Sequence, residues 1–140
     1  MAERDAMLAE LKRTVLPHLR SAGFKGSFPH FRRSGPNGVD LVTFQFDRRG
    51  GGFVIELARG SISGVTTHWG QHIPPEKMKA WDIHPDHRHR LQSYPGGGTD
   101  SWFRFDTEPV ATIAKDVLTK LRENGVWDRV EIGDCGPAKG

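Results

Sequence analysis

Between Trp81 and Gln92 the chain reads WDIHPDHRHRLQ, which places three histidines, two arginines and two aspartates beside a tryptophan. Two chemistries suit such a stretch. Imidazoles together with a carboxylate hold zinc in tetrahedral geometry. His87 and His89 are two apart and would face one side of a strand, with His84 or Asp86 as a third ligand. Alternatively, Arg88 and Arg90 share one side of that strand, and paired guanidinium forks suit a phosphate or a carboxylate. Trp81, Trp102 or Trp69 would then supply an aromatic wall.

The metal alternative, on His84, His87 and His89, meets an obstacle in the fixed positive charge of Arg88 and Arg90, and Pro85 marks a loop. Upstream, HWGQH sets His68 and His72 four apart. It lacks the central glutamate of HExxH, and Gly70 weakens the helix that spacing requires. The anion site competes with a plainer arrangement, in which the arginines pair with Asp82, Asp86, Asp100 or Glu56. The residues expected to bind a ligand or partner are Arg88, Arg90, Trp102 and Trp81.

Other constellations carry less. GSISG resembles a nucleophile elbow but has Ile62 at its centre, and no strand-to-helix turn follows. Gly50–Gly52 and Gly96–Gly98 lack the lysine and hydroxyl residue of a phosphate loop. They read as a hairpin turn and a flexible loop. FKGSFPHFRR interleaves basic and aromatic residues as single-strand nucleic-acid binders do. On an alternating strand, however, the phenylalanines belong to the core. Nucleic acid is therefore a permitted partner but not the favoured one. Asp40, Glu56, Asp100 and Asp106 have no geometry fixed by spacing, so no catalytic residue is assigned.

These side chains must be positioned by a chain of 140 residues with net charge +3, 36% hydrophobic and 26% charged. That is a globular composition of one-domain size. Seventeen acidic residues among 20 basic ones leave little excess for a nucleic-acid surface. A single cysteine, Cys135, forms no internal disulfide, which fits a reducing compartment. The charged N-terminus does not read as a signal peptide, and no run is long enough to span a membrane. A cytoplasmic protein without membrane association is expected.

Leu8, Leu11, Val15 and Leu19, widened by Met7 and Leu16, mark a first helix; Pro17 should kink it and Gly23 should end it. FKGSFPHFRR reads as a strand with Pro29 at an edge or bulge. VDLVTFQF and FVIELA alternate and form an antiparallel hairpin across DRRGGG. Their opposite face, with Thr43, Gln45, Val54 and Glu56, is left for solvent or for a site. A strand near Val65–Trp69, a helical turn at PPEKMKAW, and strands at HRHRLQSY and SWFRF complete the middle. Asp106 or Thr107 should cap a last helix striped by Val110, Ile113, Ala114, Val117, Leu118 and Leu121 and ended by Gly125. Val126 and Trp127 should fold back onto the core.

In order and spacing, LPHLRSAGFKGSFPHFRR, VTFQFDRRGGGFVIELA, RHRL, SWFRF and VATIAKDVLTKLRENGV together resemble the bacterial domain-of-unknown-function 4304 family. The resemblance runs from about Leu11 to Trp127. It implies a small α+β domain and brings no activity, cofactor or catalytic set. It matches Arg88 and Arg90 to the family's paired arginines and Trp102 to its aromatic position. The histidines of HWGQH and HPDHRH depart from the shared pattern.

The expected molecule is one α+β domain over residues 1–132 with a disordered tail over 133–140. An antiparallel sheet of about five strands carries the N- and C-terminal helices on one face. The expected function is a non-enzymatic binding or protein-interaction module, without cofactor, for a protein or a small anionic ligand. A metal-dependent or anion-binding enzyme using residues 81–92 and a nucleic-acid-binding domain are the alternatives.

Overall fold

The computed structural model describes residues 2–36, 38–48, 50–67, 69–91, 102–106, 108–123, 127, 130, 132 and 133. The first helix, α1, spans Ala2–Ser21 and continues through Pro17. Met7, Leu11, Val15 and Leu19 are buried along it. Each lies four residues after the last, so the stripe centres on Met7; the expected Leu8 is only half-buried. Four such side chains together contribute on the order of 8 kcal/mol of transfer free energy. Gly23, at φ 101°, ends the helix as expected. Phe24 N–H donates to Leu19 O and Gly23 N–H to Arg20 O, the paired bonds of a left-handed helix stop.

FKGSFPHFRR is two strands, not the expected one. β1 (Lys25–Ser27) and β2 (His30–Gly35) form an antiparallel hairpin around Phe28 and Pro29, whose peptide bond is cis. Pro29 sits in the turn, where its missing donor is harmless. Its carbonyl accepts Phe44 N–H at 3.0 Å.

The central hairpin forms as its alternation predicts, from β3 (Gly38–Phe46) and β4 (Gly52–Gly60), paired from Val39↔Gly60 to Phe46↔Phe53. β5 (Val65–Thr66) and β6 (His72–Ile73) make a separate two-stranded hairpin. β7 (His89–Arg90) and β8 (Phe103–Arg104) both pair with β4, at Glu56–Leu57 and at Gly52–Phe53. The main sheet runs β1-β2-β3-β4-β7, with β8 beside β7 on the same edge of β4. In the described part of HRHRLQSY, His89 and Arg90 form the strand; residues 92–101 lie outside the described residues.

The second helix, α2 (Val110–Arg122), buries Ile113, Ala114, Val117 and Leu121. Its N-cap is Pro109, with no side-chain cap, rather than the expected Asp106 or Thr107. Glu108 precedes a proline, which disfavours helical backbone there and delays the start. Thr107 and the expected stop at Gly125 lie outside the described residues, as do Val126, Gly96–Gly98 and Cys135. Trp127 does fold back, stacking on Phe24 with ring centroids 5.9 Å apart.

Both helices pack on one face of the sheet, as expected. There the buried stripes of α1 and α2 meet Phe31, Val42, Phe44, Phe53, Ile55, Leu57, Phe103 and Phe105 in one core. At the C-terminal end Ile132 bridges Arg59 in parallel. Gly133, where the tail was expected to begin, donates N–H to Arg59 O at 2.9 Å; residues 134–140 lie outside the described residues.

Candidate functional site

The face opposite the helices is mostly covered, which corrects the expectation that it stands open. Three short 3-10 turns, Pro75–Lys77, Ala80–Asp82 and Pro85–His87, form a strap across it. Met78, Ala80 and Ile83 from the strap join Val39, Leu41, Ala58 and Val65 in a second small core. The first two turns are the helical turn expected at PPEKMKAW, opening at Pro74 and Pro75; they are too short to show a hydrophobic period, so their covering role was not legible.

The strap's backbone is satisfied by side chains from the sheet and from the approach to β7. Arg32 Nε donates to Met78 O at 3.0 Å, and Ala80 N–H donates to Thr43 Oγ1 at 3.3 Å. Arg88 donates from Nε to Ile83 O at 2.6 Å and from Nη2 to Trp81 O at 2.8 Å. Buried backbone groups need such partners.

Under the strap, one register line crosses four strands: His30↔Thr43↔Glu56↔Arg90. Thr43 and Glu56 are buried. His30 Nδ1 lies 3.0 Å from Thr43 Oγ1, and its ring meets Trp81 edge to face at 4.5 Å. Burial, then the charges of Lys79 and Arg32, push His30 below the usual imidazole value. The neutral ring can accept the Thr43 hydroxyl proton while Thr43 accepts from Ala80.

Arg88 and Arg90 do converge, but on Glu56. Arg88 Nη1 is 3.5 Å from Oε1 and Arg90 Nε is 3.4 Å from Oε2. Only Arg90 belongs to β7. The plainer pairing with Glu56 therefore forms, through contacts at the long end of hydrogen-bond range. Arg88 is chiefly a staple between strap and sheet. Arg90 keeps 44% of its side chain exposed.

Beyond the strap's edge, Gln45, Phe46, Asp47, Arg48, Trp81 and Trp102 line a groove of about 650 Å³. Trp81, on the turn Ala80–Asp82, is 46% exposed. Trp102 precedes β8. A side-chain carbon added at Gly52 would lie 3.1 Å from the Phe103 carbonyl oxygen and in ordinary contact with the Trp102 ring, so the glycine favours the close approach of β8. Arg104 stands over the Trp102 ring at 5.8 Å. Two expected residues, 21 positions apart in sequence, thus share one cavity, with Arg90 on the neighbouring register line.

The histidines of the stretch do not gather. His84 and His87 have ring centroids 6.3 Å apart, and His84 Nδ1 accepts Asp86 N–H at 3.0 Å. His89 lies on β7 opposite Leu57. Among the described residues no group of three or more His, Cys, Asp or Glu is placed to hold a metal ion. In the basic aromatic segment, Phe24 and Phe31 are buried and Phe28 packs against the core, away from any ligand. Among the described residues no helix is long and apolar enough to cross a membrane.

Residues 15–128 match the family described as a domain of unknown function, DUF4304. The chain belongs to this family. No curated protein and no solved structure matches it. The DUF4304 domain also holds a second concavity, of about 640 Å³, lined by Arg33, Asp40, Arg59 and Trp127 among others. Arg33 Nη2 lies 2.7 Å from Asp40 Oδ2, and Arg59 Nε lies 2.6 Å from Oδ1. Arg33 Nη1 and Arg59 Nη1 donate to Ala22 O and Val130 O. This cluster ties the helix exit, the sheet and the C-terminal segment of the DUF4304 domain together. Its sequence signal was slight: Arg33, Asp40 and Arg59 stand on three adjacent strands, and only their pairing register shows that they meet.

Proposed function

We propose that the protein is a binding module rather than an enzyme, and that its contact surface is the groove between Trp81 and Trp102 with Arg90 at its border. Arg88 acts there as a positioning residue, holding Trp81 through its carbonyl. The observation that carries this reading is the groove itself. Two partly exposed indoles from separate segments line one cavity with the polar side chains of Gln45 and Arg48. Pockets that bind ligands combine aromatic walls with a few such polar groups.

In-cell photocrosslinking tests it. A photoreactive residue replaces Gln45, in the groove, or Lys12, exposed on α1, and adducts are read by intact mass and by peptide mapping. The reading expects a defined adduct at position 45 that disappears when Trp81→Ala is added. Equal adduct patterns at both positions, or an adduct at 45 indifferent to Trp81, refute it.

A further inference from the structure

The groove's charge and its place on the sheet narrow what it takes. Arg48 stands exposed in the lining, and Arg104 covers Trp102. The acids nearby are Asp47 in the lining, Asp82 beside Trp81, which accepts Lys79 N–H, Asp106 packed at Gly51, and Glu56, which already faces Arg88 and Arg90. Arg48 is thus the exposed cation of the lining, beside the two indoles. The cavity, about 650 Å³, lies in the size range of small-molecule sites. Here β4 is paired with β8 at Gly52–Phe53 and with β7 at Glu56–Leu57, and Ile55 O accepts Leu91 N–H at 2.9 Å. The groove lies on the sheet's face, where a flat ring can lie against indoles.

We infer that the groove binds a planar aromatic molecule bearing a carboxylate or a phosphate. The ring lies against Trp81 and Trp102, the acid group meets Arg48, and the Gln45 amide offers one donor and one acceptor to the ring's polar edge. This rests on the reading of the groove as the contact surface. Stacking supplies much of the affinity, and the guanidinium supplies the preference for an anion.

The test is a titration of the full chain followed through its tryptophan indole N–H resonances, assigned with single Trp→Phe variants. The probes are adenosine 5′-monophosphate, 1-naphthoate, adenosine and inorganic phosphate. The two aromatic anions should shift the Trp81 and Trp102 signals saturably and leave Trp69 and Trp127 in place. Adenosine and phosphate should each bind at least about tenfold more weakly, since each lacks one of the two interactions. Trp81→Ala or Trp102→Ala should weaken binding at least about fivefold. Arg48→Gln, on an exposed turn position, should bring the affinities for the monophosphate and for adenosine together. If the monophosphate binds and naphthoate does not, the acid is a phosphate; the reverse outcome assigns a carboxylate. Adenosine binding as tightly as its monophosphate, or shifts confined to Trp69 or Trp127, overturns the inference. So does the absence of saturable shifts with both aromatic anions. A polypeptide adduct at position 45 without binding of either aromatic anion removes this inference and leaves the contact surface standing. No specific adduct and no binding removes both.

Discussion

The substitution Thr43→Val separates what holds the strap to the sheet from what merely lies beneath it. Thr43 is fully buried. Its Oγ1 accepts Ala80 N–H at 3.3 Å and meets His30 Nδ1 at 3.0 Å. Valine keeps the shape and branching but offers no acceptor. The Ala80 N–H then has no partner in a place without solvent, since Ala80 is itself fully buried. An orphaned buried donor costs about 1–3 kcal/mol. The lost bond to half-buried His30 adds about 0.5–1 kcal/mol, and the extra buried methyl returns about 0.8 kcal/mol. The net expectation is a loss of about 2 kcal/mol. Urea denaturation checks it, with the midpoint falling and the slope unchanged. In a His30→Ala background the same substitution should cost about 0.5–1 kcal/mol less, because one of the two bonds is already gone. A loss under about 0.5 kcal/mol, or any gain, would mean that the strap is held by Met78 and Ile83 packing and the Arg32 and Arg88 bonds, and that the Thr43 row is incidental.

Asp40→Asn should destabilise the protein by about 3 kcal/mol, the low end for breaking a buried ion pair, because the Arg33 side chain is 30% exposed; denaturation at two salt concentrations measures it. Gly26→Ala should cost about 2 kcal/mol or more, since φ is +118° and the new carbon would lie 2.6 Å from His30 O. Gly70→Ala should cost about half as much, with φ +96° but nothing within 4 Å of the added carbon. Comparing the two thermal midpoints separates backbone strain from collision. Burial depresses His30, and burial with the charge of Arg122 depresses His18. The unfolded chain therefore takes up protons first as pH falls through about 6.5. Stability is full above that value and declines until the folded-state values are reached. Burial raises Asp116, which works in the opposite sense. The readout is accordingly the difference between wild type and His30→Gln, whose urea midpoint should fall less between pH 7.5 and pH 5.5.

Periodicity made the framework legible. Leu11, Val15 and Leu19, the hairpin from Val42 to Leu57, and the stripe from Ile113 to Leu121 all pack where their spacing places them. Gly23 marked a helix end because only a left-handed residue fits there. Phe28-Pro29 reads as part of one strand, although the change of parity from Phe28 to Phe31 breaks the period-two pattern there. In the strap the helical turn expected at PPEKMKAW is there as two 3-10 turns, but what it covers was not readable, because turns of three residues have no period that marks a buried face. At the candidate site, residue type pointed to Trp81, Trp102, Arg88 and Arg90. Their partners were less visible. Arg88 spends its donors on Trp81 and Ile83 carbonyls, which no side-chain pattern encodes. That Trp102 faces Trp81 depends on β8 returning to the strand that β7 already borders.

That return has an evolutionary consequence. β7 and β8 are anchored end to end on one strand, so β4 fixes where the chain departs after Leu91 and where it arrives at Phe103. The cost of closing such a connection grows only slowly with its length. Relatives can therefore lengthen, shorten or rewrite this segment while both anchors keep their register. Variation there would leave β4 and the register of both its partners in place, so the sheet tolerates it.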